Sequence, residues 1–393
     1  MGRAEMGALK SALLIFLSMW TVCAAAQDPV PIFLQKHWAF PIPEQGSAPK
    51  FYTPLERSLQ PQSCGICHTD QYRAWKGSRH ALAMGPGVIG QLLEMKSMAE
   101  VRACTRCHAP LAEQEKSLLL HRNGDLHERG LICADCHVRR NIRYGPPSIG
   151  KNAARAHGGF VASDAFLDGR FCATCHQFGK DGYALQGKML ENTYNEWLQS
   201  SYAKQGIQCQ GCHMPGREHL WKGIHDPEMS RKALSIERSA PELRHGILIA
   251  SLAVKNSGAG HDFPTYVTPR VLVQIWQESG DEKPIRGTLR ERIIERDVSP
   301  DLSAEISDTR LSPGKGMILD YRVPSDKMAR YLVMRIRVEP DHYYAGLYRS
   351  LLSSLMKPES KALIGAALKN AENSAYDLHF ERFPLRPSDK GTA

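Results

Sequence analysis

The chain has almost no cysteine to spare. It contains eleven cysteines; Cys23 lies in an N-terminal apolar stretch, and the other ten fall into five pairs, each with two residues between the partners. No thiol is left over for a structural disulfide framework. Long hydrophobic runs are equally scarce, and the one candidate, Ser11 to Val22, is too short to cross a bilayer in comfort. No later stretch approaches the length of a membrane span, which leaves a soluble or peripheral mature chain as the expectation.

The apolar run has the features of an export leader. Arg3 and Lys10 form a basic start, and Ala24, Ala25 and Ala26 supply small residues for cleavage before Gln27. Residues 1–26 therefore read as a signal peptide that takes Cys23 with it, and the mature protein is expected in the periplasm, with an extracellular or outer-membrane-associated location left open.

What the chain does have is a histidine directly after every cysteine pair. The five segments are Cys64, Cys67 and His68; Cys104, Cys107 and His108; Cys133, Cys136 and His137; Cys172, Cys175 and His176; and Cys209, Cys212 and His213. Cysteines three apart on a helical turn point the same way, and the next residue sits beside the second thiol. Two thiols can thus grip the edge of a flat macrocycle while the imidazole reaches its metal, the pattern of covalent c-type haem attachment. Zinc or a thioredoxin-like redox pair explains neither the histidines nor an odd number of pairs. The expectation is five covalently bound haem c groups, with iron held by the five motif histidines.

Those haems change the meaning of the charge. The formal value is +9, but losing the leader and adding five dipropionate macrocycles brings the loaded protein to about +3 when oxidised and about −2 when reduced. The case for nucleic acid as a partner disappears. The expected partners are redox proteins, either other cytochromes or quinol-linked membrane complexes; no transmembrane span is expected, and peripheral membrane association stays open.

Along the chain, residues 27–60 are rich in proline (Pro29, Pro31, Pro41, Pro43, Pro54) and read as an extended arm on the surface. Residues 61–245 show short helical patches, with motif-to-motif intervals of 40, 29, 39 and 37 residues. Such intervals leave little room for a protein-only core, so the macrocycles themselves must fill much of it. Tyr72, Trp75 and Ser78 on one helix are echoed by Tyr194, Trp197 and Ser200 on another, with Tyr202 standing where His80 stood. Residues 246–340 carry β-branched runs at 246–255, 270–277, 287–295, 304–310, 317–323 and 331–338, separated by turn residues, and read as a small antiparallel sandwich. Residues 341–393 read as a helical tail. The fold class is α+β: a haem-templated, mainly helical cytochrome domain, then a β-sandwich-like domain and the tail.

Eleven of the sixteen histidines lie outside the motifs. A second neutral imidazole on the far face of an iron gives a low-spin, six-coordinate centre suited to electron transfer. Five candidates are chosen by context. His80 ends an aromatic helix and is assigned to a neighbouring haem; His157 is followed by glycines that let backbone approach a flat ring; His219 and His225 bracket Trp221; and His261 sits in a glycine-rich loop before Phe263 and Pro264. His121, His127, His245, His342, His37 and His379 are held in reserve.

These residues resemble the multihaem cytochrome c family of the cytochrome c-554 type. The likeness rests on Cys64-Gly-Ile-Cys67-His68 with Tyr72, Trp75 and His80, on Asn195-Glu196-Trp197 leading to Cys209-Gln-Gly-Cys212-His213-Met214-Pro215, and on the loop Gly258-Ala-Gly-His261-Asp-Phe-Pro-Thr265. It spans about residues 60–265. More remotely the chain looks like hydroxylamine oxidoreductase and pentahaem nitrite reductase, although no Cys-x-x-Cys-Lys motif of the latter occurs. The resemblance implies stacked haem pairs, mostly bis-histidine, in a helical scaffold whose task is electron transfer. An electron carrier is the first reading. A haem oxidoreductase acting on a small nitrogen or sulfur compound at one five-coordinate haem is the alternative, and no residue is assigned a catalytic role.

Overall fold

The structure, a computed structural model, describes residues 28–119, 126–147, 157 and 159–385. The signal-peptide reading and His121 lie outside the described residues.

The proline-rich arm differs from its expectation. Asp28 caps a helix at Pro29–His37, and its prolines fall in the first turn, where a missing N–H costs nothing. Most of the arm is exposed or half-buried, but Trp38 and Ile42 anchor it, buried with Trp75, Leu111, Ile132 and Val138 in a small core under the first three motifs. Ile42 bridges Leu111 in parallel, which stitches the arm to the end of the second motif.

The echoed aromatic helices are local structural repeats. Trp75 Nε1 donates to the Leu131 carbonyl at 2.6 Å and Trp197 Nε1 to the Ile207 carbonyl at 3.0 Å. Each acceptor lies two residues before a motif, so each indole clamps the chain entering a haem-attachment turn. The serines behave alike: Ser78 Oγ accepts from Ala81 N and Ser200 Oγ from Ala203 N. Between these helices, Val138–Arg139, Ile142–Gly145 and Phe160–Ala162 form a three-stranded sheet that the sequence did not signal.

The second half is a two-sheet sandwich. One antiparallel sheet runs Arg290–Ile294, Arg270–Ser279, Ala329–Glu339, Tyr376–Pro384; the other runs Gly316–Pro324, Ile247–Asn256, Leu234–Arg238, with Glu242–Arg244 also on Ile247–Asn256. Ile247–Asn256 alternates buried and half-buried residues, as a strand with one face in a core must. Leu248, Leu252, Val254, Val271, Ile275, Leu332, Met334 and Ile336 form that core.

Two boundaries move. The sandwich begins at Leu234, before the expected position 246, and the tail is not helical throughout. After helices His342–Leu352 and Pro358–Glu372 the chain returns as strand Tyr376–Pro384, paired antiparallel with Ala329–Glu339. No helix among the described residues is long and apolar enough to cross a membrane.

The sandwich is joined to the helical half through the His261 loop. Arg310 pairs with Glu196 at 2.9 Å, both nearly buried, while Glu196 also accepts from Asp262 N and Thr265 Oγ1. Tyr202 packs on Gly260 and donates to the Ser257 carbonyl at 3.3 Å, so this tyrosine braces the loop.

Candidate haem sites

Each motif lies on a helical turn that local sequence starts. Ser97 and Glu100 form a reciprocal cap for Met98–His108, and Asp168 caps Gly169–His176 through Arg170 N. In the first motif, His68 N donates to the Cys64 carbonyl at 2.9 Å, closing the turn. All ten motif cysteines are free of disulfides.

Four motif imidazoles face a second imidazole. The ring centres of His68 and His157 are 6.3 Å apart, those of His176 and His80 6.2 Å, those of His137 and His219 6.3 Å, and those of His213 and His261 6.2 Å. Imidazole nitrogens about 2.0–2.1 Å from a metal, each about 1.1–1.2 Å from its ring centre, put two trans rings about 6.3 Å apart. The gaps therefore match one metal ion between each pair, and the adjacent thiols supply the anchors of a macrocycle. The residues present fit haem c.

Neighbouring groups hold these rings in place. His137 Nδ1 bonds the Tyr144 carbonyl at 2.7 Å, His213 Nδ1 the Lys222 carbonyl at 2.8 Å, and His108 Nδ1 the Ala83 carbonyl at 2.5 Å. With Nδ1–H donated, Nε2 keeps its lone pair for a metal. Burial holds the imidazoles neutral, taking His80 down to about 3 and His137 and His176 to about 4. His157 adopts φ +63°, a left-handed conformation rare outside glycine, and turns its ring to His68. Trp221, at φ +44°, stands edge-on to both His80 and His219, at 4.4 and 5.0 Å between ring centres.

The motifs are also close to one another. Thiols of Cys64 and Cys133 touch, as do Cys107 and Cys175, and Cys172 and Cys209. Cys136 lies near both Cys172 and Cys175. The contacts run from the first motif to the third and on to the fourth, which meets both the second and the fifth.

His225 is the exception among the five chosen histidines. Its Nε2 bonds Asp341 Oδ2 at 3.0 Å and it faces no motif ring, because Asp226 beside it starts the next helix and turns the chain towards the tail. No imidazole among the described residues faces His108. None of the described reserves faces a motif ring: His37 bonds the Cys136 carbonyl, His127 Ser117, His342 lies against Glu339, His379 lies 3.7 Å from Glu381, and His245 is exposed to solvent. Sequence reasoning passed over Tyr266, whose hydroxyl holds His176 Nδ1, and the wedge role of Trp221. The Tyr266–His176 and Trp221–His80 contacts span tens of residues, for which the local pattern carries no signal.

Residues 63–138, which contain the first three motifs, match the family described as cytochrome c554 and c-prime. No curated protein matches the chain. Among solved structures, the fold is similar to a penta-heme cytochrome c552 from Thermochromatium tepidum, at TM-score 0.60 and 16% identity, over 85% of this chain and 100% of that one. The family match, with the facing imidazoles and paired thiols, supports haem attachment at these motifs, and the structural match shows a shared fold.

Proposed function

We propose that this chain is an exported pentahaem c-type cytochrome that passes electrons between redox proteins in the periplasm. The four facing imidazole pairs carry this reading. Haem iron supplies the one-electron chemistry. The chain's part is to hold two neutral imidazoles at fixed separation, so that ligation need not rearrange when an electron arrives. The touching thiols bring attachment edges together, which favours transfer from one site to the next. The two tryptophan clamps fix the third and fifth motifs, and Trp221 keeps His80 and His219 from rotating away.

His225 is not retained as a ligand in this proposal. His108, which faces no imidazole among the described residues, bears on the alternative, a haem open to a small ligand; with four motif histidines each faced by a second imidazole, electron transfer is the reading supported best. Intact mass of the denatured protein tests the haem count: five covalent haems add about five times ~616 Da to the processed chain. Carbon monoxide added to the reduced protein tests the role. An electron carrier binds at most one equivalent and turns over neither nitrite, hydroxylamine nor sulfite, whereas rapid turnover of one of these contradicts the proposal.

A further inference from the structure

The four facing pairs fall into two classes by the angle between their rings. His68 and His157 lie 24° apart and His213 and His261 15°, whereas His176 and His80 are twisted by 45° and His137 and His219 by 38°. The two twisted pairs share one neighbour. The Trp221 indole stands at 63° to His80 and at 78° to His219, with ring centres 4.4 and 5.0 Å away.

We infer that Trp221 is a positioning wedge: it holds His80 and His219 turned out of the planes of His176 and His137, and so gives the third and fourth haem sites a higher reduction potential than the first and fifth. The reason is orbital. Each imidazole donates π density to the iron d orbital that stands perpendicular to its own ring. Two parallel rings load the same orbital, raise it and make its electron easier to remove, which favours oxidised iron. Twisted rings divide the donation between two orbitals and favour oxidised iron less. The potential thus responds to how the surroundings hold the axial ligands, with no change in what those ligands are.

The chain is built to keep the wedge in place. Trp221 adopts φ +44°, a left-handed conformation that a bulky residue keeps only where its surroundings enforce it. Gly216 and Arg217, at φ +63° and +65°, tighten the same turn after the fifth motif, and His219 Nδ1 bonds the Arg217 carbonyl at 2.8 Å. The indole packs against the core of Trp38, Trp75, Ile132 and Val138, so it cannot follow a rotating imidazole. Trp75 in that core belongs to helix Thr69–Lys76, which leads to His80. Lys222, next in the chain, holds His213 Nδ1 through its carbonyl at 2.8 Å. A general loosening of this turn therefore reaches the fifth site as well, whereas loss of the indole alone touches only the third and fourth.

The inference rests on the proposed haem ligation, and the experiment separates the two. Redox titrations of the haem-loaded full chain, followed optically and by electron paramagnetic resonance, are made on wild type, Trp221→Leu and Trp221→Phe. In wild type, two of the bis-imidazole signals have a larger maximum g-value than the other two, because twisted rings bring the d orbitals closer in energy, and those two are lost first on reduction. Trp221→Leu lowers the maximum g-value of that pair and moves its potentials down towards those of the first and fifth sites, whose signals stay as in wild type. Trp221→Phe, with a smaller ring in the same place, moves the same two signals by less. Unshifted low-spin signals in Trp221→Leu overturn the inference while leaving the ligation intact, and so does a shift of all four, which marks a general loosening. If Trp221→Leu fails to load haem, Trp221→Phe decides, and an unchanged spectrum there overturns the inference. Absence of low-spin signals in wild type overturns the ligation, and the inference with it.

Discussion

Arg310 and Glu196 form a buried ion pair, 2.9 Å apart, across the seam between the sandwich and the helical half. Asp308 and Asp262 flank the guanidinium at 2.9 and 3.5 Å, and Thr265 and Asp262 N satisfy the other Glu196 oxygen. Removing one member of such a network leaves a charge buried without its partner, at a cost of about 3–5 kcal/mol. Arg310→Met is expected to open this seam before it unfolds either half. Limited proteolysis checks it: cleavage near residues 234–246 should accelerate at least tenfold, and an unchanged cleavage rate would show that the seam is held by something else.

The loop docked by that pair carries His261, whose ring lies 6.2 Å from His213 with planes 15° apart. His261→Ala is expected to convert one low-spin haem to high spin and to leave the other three facing pairs untouched. Visible and electron paramagnetic resonance spectra of the oxidised variant read this directly. Asn256 Nδ2 also donates to the His261 carbonyl at 2.8 Å, so Asn256→Ala should give a partial, temperature-dependent version of the same change.

His225 provides the complementary case. It bonds Asp341, which also lies 3.9 Å from Arg79, so this histidine ties the start of helix His342–Leu352 to the haem half. His225→Ala should leave every haem spin state as in wild type while lowering the thermal midpoint by a few degrees. Appearance of an extra high-spin haem in this variant would restore it to the list of ligands.

Acid should loosen the sandwich through Glu339. Hydrogen bonding from His342, then from Arg270 at 2.8 Å, holds its carboxyl down to about 2 from a usual value of 4.5. A carboxylate whose folded value is depressed stabilises the fold above its unfolded value and loses that contribution as pH falls towards the folded one. The window is therefore about pH 4.5 down to about 2, and solvent screening of this partly exposed carboxyl limits the contribution above it to about 1 kcal/mol. Glu339→Gln should lower the thermal midpoint at pH 7 and flatten its dependence in that window. An identical acid profile in wild type and variant would remove Glu339 from the account.

Much of this was legible where local chemistry decides the outcome. The five cysteine-histidine segments are set by covalent geometry. The runs at 246–255 and 317–323 became strands because their alternation already fits a one-sided core. The helix at Pro29–His37 was hidden because prolines were counted as breakers, although Pro29 and Pro31 sit in the first turn behind the Asp28 cap. Strand Tyr376–Pro384 was hidden because the strand it pairs with, Ala329–Glu339, lies before a helical hairpin, and a non-local pairing leaves little local mark. Among the histidines, context picked out His80, His157, His219 and His261, whose rings each face a motif histidine. It also picked out His225, which bonds Asp341, 116 residues away.

The most direct measurement of the central claim is a count of low-spin bis-imidazole haems in the oxidised protein, by spin-quantified electron paramagnetic resonance with near-infrared magnetic circular dichroism. Four facing histidine pairs predict at least four such haems per chain. Three or fewer would contradict the account.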